Sequence, residues 1–565
     1  MFVSQSKISL STVVLLAAMA WAAPASAGTY RLTVENADVK VGDQIVRKMT
    51  VNGGVPGPVL RLKEGENATI IVTNNTDELT SVHWHGLLLP GMMDGAPGFN
   101  GFMGIKPGTS FTYTFRIRQS GTYWYHSHTG TQDQSVFGAL VIDPREPSRL
   151  RYDRDYVVLL GDATPEDSDQ VLRNLKADSE YYNYARRTVG DFFRDAKKDG
   201  FGAALRDRLD WGEMRMDPTD MADVSGYTFL VNGQSPTGNW TGLFRAGERV
   251  RLRFINASAM SYFDVRIPGL KMIVVQADGQ DVEPVPVDEF RIAVAETYDV
   301  VVTPREDKAY TIFAEPIDRS GYARATLAPR EGMTADVPPM RPRTTLTMAD
   351  MGMAHGGHGG HGAPAEPAQS QGHGGHGDHE AAPPVPAQSQ AHGGHSDHDA
   401  PAAAREGPPR GWADAATPAG MRALKYSDLR SLTPQKDLRE PTQEIVVRLG
   451  GSMERYVWTL NGAKAEHASP IELKYGERVK ITFVNETMMA HPMHLHGMFV
   501  QLINGQPGER LPNKHIVSVA PGQSYSALLT ADEPGEWAFH CHLLYHMAAG
   551  MMTKVVVARM SAEAK

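Results

Sequence analysis

From Tyr30 to about Asp143 short runs of alternating apolar and polar residues, RLTVENADV, ATIIVTN, SFTYTFRI, TYWYHSH and GALVI, are separated by Gly, Pro and Asn. Period-two alternation sends every second side chain to one face, and closely spaced turn residues fold such strands back on one another, which predicts a β-sandwich or barrel. A second series runs from Gly226 to about Pro329, with TFLVNG, RVRLRFIN, MIVVQADG and DVVVTP. A third, from about Glu444 to Arg559, holds EIVVRLGG, VKITFVN and TKVVVA. All three share an Asn-Gly step early in the series, at Asn52-Gly53, Asn232-Gly233 and Asn461-Gly462, followed by an apolar run ending in Asn. That repeat predicts three homologous all-β units.

Two segments break the pattern. Residues of about 164–222 carry apolar positions at helical spacing and few strand formers, which predicts a helical insertion in the second unit. Residues of about 331–440 are rich in Pro, Gly, Ala and Gln, a composition too poor in apolar side chains to offset the entropy of ordering, and are expected to be largely disordered. At the other end, residues 1–27 join Lys7 to an apolar run from Val13 to Ala23 and the ending Ala25-Ser26-Ala27, the pattern of a cleaved secretory signal. The expected division is therefore signal 1–27, first sandwich 28–147, second sandwich 148–330, linker 331–440 and third sandwich 441–565. Beyond the signal, no stretch has the roughly 18–20 apolar residues of a spanning helix, so the expected location is the periplasm.

Charge and composition narrow the function. The formal net charge is −9, or −10 without Lys7, which argues against nucleic acid as a partner. Cys541 is the single cysteine among 565 residues, so no internal disulfide can form, and it stands in HCHLLYHMAAGMM between His540 and His542, with His546 and Met551 just beyond. A thiolate with nearby imidazoles and a thioether is the ligand set of a His2Cys copper site with a weak axial Met. A buried, inert thiol is the plain alternative, and the neighbouring ligands disfavour it.

Histidines are distributed just as unevenly. Nine of 21 lie in the linker, as three His-x-x-His-x-x-His triplets: His355, His358, His361; His373, His376, His379; and His392, His395, His398. Ten of the other twelve form four clusters, His83 and His85; His126 and His128; His491, His494 and His496; His540, His542 and His546. Only His467 and His515 stand apart. In an extended segment residues i and i+2 share a face, so HWH and HSH each present two imidazoles to one side. The same rule turns Cys541 away from His540 and His542, and His491 away from His494 and His496. One strand then bridges two metal sites. Zinc offers no reason for such a joint, and a copper nitrite reductase lacks both the full His-Cys-His arrangement and the length.

HWHG, HSH, HPMHLH and HCHLLYHMAAGM resemble the four copper motifs of the multicopper oxidases, and segments such as YYNYARRTVGDFF and WGEMRMDPTDMADVSGYTF are similar to the periplasmic CopA/PcoA-type copper-resistance oxidases. The resemblance implies an all-β chain of three cupredoxin-like Greek-key β-sandwiches and four copper ions. Carried over by position, it implies a type 1 site of His491, Cys541, His546 and axial Met551, a type 2 site of His83 and His494, and a type 3 pair held by His85, His126, His128, His496, His540 and His542. All of these come from the first and third units, so the trinuclear cluster is expected at their interface. The implied reaction is one-electron oxidation of a donor at type 1, transfer along Cys541 to His540 and His542, and four-electron reduction of O2 to water. Asp94, nine residues after His85, matches the position of the family's proton-supplying acid; an ordinary Asp-Gly turn is the alternative. The acidic residue that many relatives carry after the last type 1 His is Met547 here.

The softer features leave alternatives open. Linker histidines suit copper gathering and delivery, alongside a role as plain spacer. Met488, Met489, Met493, Met498, Met547 and Met552 suit either a Cu(I) substrate site or core filling. The function expected is an O2-dependent oxidase of Cu(I), with phenols as further donors and copper-handling proteins as possible partners. A laccase with an organic natural donor, or a copper-sequestering protein with incidental turnover, are the alternatives.

Overall fold

The computed structural model describes residues 26–147, 150–182, 189–205, 222–341 and 417–559. Residues 1–25 of the expected signal 1–27 and the three His triplets lie outside the described residues.

The repeat seen in the sequence is a repeat of topology. In each unit the opening strand pairs antiparallel with the second and parallel with a later one: Ser26–Val41 with Gln44–Val51 and Asn67–Asn74, Arg154–Ala163 with Thr228–Val231 and Val250–Asn256, and Glu444–Ser452 with Val457–Leu460 and Arg478–Asn485. A facing sheet in each unit likewise contains one parallel pair, Leu60–Lys63 with Phe137–Asp143, Trp240–Leu243 with Ala323–Ala328, and Ile471–Lys474 with Met552–Ala558. The two sheets have four and four strands in the first unit and six and five in each of the others.

The Asn-Gly steps explain how the opening hairpins close. Asn52, Asn232 and Asn461 adopt φ of 53, 50 and 51°, and the glycines after them φ of 75, 75 and 78°. Two successive left-handed residues make the tight turn that matches strand twist, and Asn followed by Gly is the pair that tolerates it. Each Asn side chain then accepts a backbone N–H from the neighbouring strand, at Thr33, Leu159 and Arg448. The Asn closing each later apolar run is buried and caps the next turn, Asn74 at Thr76, Asn256 at Ser258 and Asn485 at Thr487.

The helical insertion is an excursion from the second unit's opening hairpin. Helices Ser168–Ala177 and Val189–Asp199 lie between the paired strands Arg154–Ala163 and Thr228–Val231. The first is capped by Asp167 at the Gln170 N–H and buries Val171 and Leu175, one turn apart. The strand before it, whose YVVLLG run is continuously apolar, was not among the alternating runs because it is covered on both faces.

Part of the expected linker is built into the fold. In 417–440, Leu424 N–H donates to Glu289 O (3.0 Å) and Leu432 N–H to Asp281 O (3.0 Å), and Leu424 and Leu429 are buried. Residues 342–416 lie outside the described set. One apolar core runs through the second and third units, and the first unit has its own. The first and third are joined at Asn100, which donates to Glu536 O (2.6 Å) and accepts its N–H (2.9 Å), and by the Arg118–Glu533 ion pair.

Candidate metal centre

Strand register brings the clusters together. His83–His85 runs antiparallel to Gly121–His126 with His83 opposite His126 and His85 opposite Trp124, so both imidazoles leave one face while Trp84 enters the first core. In the third unit Met493 lies opposite Cys541 and His494 opposite His540. His491 and Cys541 therefore share one face, and His494 and His540 the other.

On the second face eight imidazoles from the first and third units converge. His85, His126 and His542 have ring centroids 4.8–5.6 Å apart. His128, His496 and His540 lie 4.9–5.3 Å apart. His83 and His494 complete the group at 5.9 Å from each other. Backbone carbonyls fix several tautomers by accepting one ring N–H each: Asp94 O from His83 Nδ1 (2.8 Å), Ser127 O from His126 Nδ1 (2.8 Å), His515 O from His494 Nδ1 (2.8 Å) and Cys541 O from His540 Nδ1 (2.9 Å). His496 Nδ1 is held at 2.8 Å by the Asp94 carboxylate.

The other ring nitrogen of each must then be a lone pair. His83 Nε2, His85 Nδ1, His126 Nε2, His494 Nε2 and His542 Nε2 are buried without a protein partner. His496 Nε2 and His540 Nε2 face each other at 3.2 Å, and neither carries a proton to donate. Protonation is disfavoured as well. Burial first, then neighbouring imidazoles, drives the pKa values of His85, His126, His128, His494, His496 and His542 well below the ordinary value, and burial brings His540 to about 4. Converging neutral nitrogen lone pairs with no donor among them fit cations, as imidazole suits copper.

The first face holds a smaller site. Cys541 Sγ lies 3.6 Å from His491 Nδ1 and 3.8 Å from His546 Nδ1, and those two nitrogens are 3.1 Å apart. His491 Nε2 meets the Thr487 hydroxyl (2.7 Å), and His546 Nε2 donates to the Asp223 carboxylate (2.8 Å), so both rings turn Nδ1 toward the sulfur. Burial raises the Cys541 thiol pKa, so a thiolate here calls for an adjacent cation. Met551 is buried beside the site, its carbonyl accepting the Cys541 N–H (3.1 Å). Trp458 stacks on His546 at 3.9 Å.

One residue of these sites escapes sequence reasoning, a second is placed differently by it, and a third has two readings in it. Asp223, the buried partner of His546, also accepts from Tyr456 Oη (2.6 Å), and its Oδ1 has no partner. It follows a Met- and Asp-rich stretch with no motif to single it out. His515, expected to stand apart, abuts the eight-imidazole site with Nδ1 3.2 Å from His85 Nε2, because register places its strand Ile516–Val519 beside His491–Leu495. This corrects the expectation; among the described histidines only His467 remains apart, exposed on a loop. Asp94 is no simple turn residue: carbonyl and carboxylate each hold a different imidazole, and its Oδ1 lacks a partner. Gly95 after it has φ +82° and leaves no room for a Cβ, which would lie 1.9 Å from Val82 O. Met489, Met493 and Met498 are buried in the core, and Met488 is exposed.

Comparison with known proteins agrees with this geometry. Family descriptions named "Multicopper oxidase" match residues 33–147, 154–334 and 438–561. "Copper resistance protein A" of Escherichia coli is 50% identical, covering 94% of this chain and 92% of its own. "Copper resistance protein A homolog" of Pseudomonas syringae pv. tomato is 48% identical, covering 97% and 96%. A laccase from Botrytis aclada superposes with TM-score 0.63 at 20% identity, covering 94% of this chain and 88% of that one. The Campylobacter jejuni multicopper oxidase, a metallo-oxidase, superposes with TM-score 0.58 at 18% identity, covering 94% and 91%. Among the described residues no helix is long and apolar enough to cross a membrane.

Proposed function

Because this chain belongs to the multicopper oxidase family, we propose that it is a copper-resistance oxidase that takes electrons from Cu(I), and from phenols as further donors, and passes them to O2 in the periplasm. The observation that carries the reading is one strand end: Cys541 faces the sulfur site while His540 and His542, its covalent neighbours, face the eight-imidazole site.

We assign type 1 to His491, Cys541, His546 and Met551, type 2 to His83 and His494, and type 3 to His85, His126, His128, His496, His540 and His542. The support is the set of nitrogen atoms left without partners. Copper, when bound, supplies one-electron redox chemistry at the first site and O2 reduction at the second. The chain supplies the rest. Asp94 orients His83 and His496, and its partnerless Oδ1 is the oxygen available to pass the protons that water formation consumes. At the donor side Asp223 fixes the His546 tautomer, and its negative charge attracts a cationic donor such as Cu(I). The shared polypeptide joins the two sites.

The linker histidines offer imidazoles, a ligand type suited to gathering copper for this site. The test is O2 consumption by the copper-loaded protein with Cu(I) or a phenol as sole donor, after anaerobic loading. Faster turnover on Cu(I) is expected; consumption with phenols alone would make it a laccase with an organic donor, and none with either would leave a copper store.

A further inference from the structure

His515 carries none of the ligand roles assigned above, yet two of the ligands lean on it. Its carbonyl accepts the His494 Nδ1 proton at 2.8 Å, which leaves His494 Nε2 as the free lone pair. Its ring Nδ1 sits 3.2 Å from His85 Nε2, and His85 Nδ1 is the partnerless atom of that ring. When His85 donates from Nε2 to His515 Nδ1, the His85 lone pair points into the cluster; with the proton on Nδ1 instead, His85 could not bind a cation.

We propose that His515 is a positioning residue that sets the ligand atoms of His85 and His494 together, and through which the second unit, source of no ligand, fixes the geometry of the copper cluster. The anchoring runs through Asp278 of the second unit. Its Oδ2 accepts the backbone N–H of His515 (3.2 Å) and of Ile516 (3.1 Å), and its Oδ1 accepts Thr297 N–H (3.2 Å). Lys514, fully buried, pairs with Asp278 (3.1 Å) and with Glu296 (2.9 Å), so both residues preceding Ile516 are tied to the second unit. Removing one partner of a buried ion pair is costly, which makes this a stiff support. On the other side the ring needs space that only glycine leaves: a Cβ at Gly86, the residue after His85, would lie 2.5 Å from His515 Cδ2. The backbone of HWHG and the ring of His515 are therefore fitted to each other.

This inference rests on the copper assignment above, and its test separates the two. His515→Leu removes the acceptor at similar bulk, whereas His515→Asn puts an amide oxygen near the place of Nδ1. Both are made in the full chain and loaded with copper beside the wild type. Blue absorption reports folding and the type 1 site; copper per chain, the near-ultraviolet type 3 band and the type 2 electron-spin signal report the cluster.

His515→Leu is expected to stay blue but to lose the type 3 band or a copper ion and to slow O2 reduction by about 10–100-fold, the usual cost of removing the partner of a metal-bound His. His515→Asn is expected to recover the band and most of the rate. Three results overturn the proposal: a His515→Leu cluster indistinguishable from wild type, a His515→Asn variant as impaired as His515→Leu, or loss of blue colour in both. The copper reading itself falls only if the wild type fails to load.

Discussion

Replacing Asp223 by Asn tests how the protein sets the electron-accepting site. In the structure one carboxylate oxygen, Oδ2, takes both His546 Nε2–H (2.8 Å) and Tyr456 O–H (2.6 Å), while the side chain is wholly buried. An Asn turned with its oxygen in that place keeps both bonds and changes little but the charge. A hydrogen bond to a charged group contributes about 1.5–3 kcal/mol against about 1 for a neutral one, so roughly 1 kcal/mol of charge assistance disappears. The carboxylate favours the more positive, oxidised state of the site, so its loss should raise the reduction potential. With about 59 mV per tenfold, or per 1.4 kcal/mol, for one electron, the rise is about 40 mV. Titration of the blue absorption against redox mediators measures it. Turnover on Cu(I) should fall more than turnover on a neutral phenol, and the difference should shrink as salt screens the lost charge. A potential that stays put or falls would refute the argument that Asp223 acts through charge on His546. Placing the amide nitrogen at the partnerless Oδ1 position also costs about 1–3 kcal/mol of stability, which thermal unfolding of the variant will show.

Further outcomes follow from the same geometry. Cys541→Ser should abolish the blue colour and donor oxidation while leaving the type 2 electron-spin signal, since His83 and His494, assigned to type 2, keep their own partners; loss of both would contradict two separate sites. Asp94→Asn should slow O2 turnover by about 10–100-fold with the blue band intact, and unchanged turnover would remove its proton and positioning roles. Asp264 is buried, which by itself raises its pKa, yet Arg291 and Arg319 outweigh burial and hold it well below the usual carboxylate range. Its contribution is therefore complete above the unfolded carboxylate value of about 3.9 and lost as pH falls below it. Asp264→Asn should cost about 3–5 kcal/mol near neutral pH by removing the carboxylate that two buried guanidinium groups share, and the gap from wild type should narrow toward pH 3 in thermal melts. Deleting residues 355–398 should lower copper loading or copper tolerance and spare phenol oxidation; no change in loading or tolerance would leave a spacer.

Much of the fold and site was legible because the signals were local. Alternation marked the strands, Asn-Gly marked the hairpin turns, and i, i+2 parity separated Cys541 from His540 and His542. What failed had a common cause in contacts between distant segments. The strand Arg154–Ala163 is buried on both faces and loses the alternation that announces a strand. Residues 417–440 read as linker from composition, yet Leu424 and Leu429 find apolar surface on units far away in the chain.

The sequence by itself determined which atoms can bind metal and on which side of each strand they emerge, because side-chain chemistry and backbone parity are properties of a few neighbouring residues. Tertiary structure alone decided which lone pairs are left over. That depends on Asp94 reaching His496 some 400 residues later, on Asp223 finding His546, and on His515 arriving beside His85. Hydrogen bonds within and between units assign the protons, and so turn a collection of histidines into ligands.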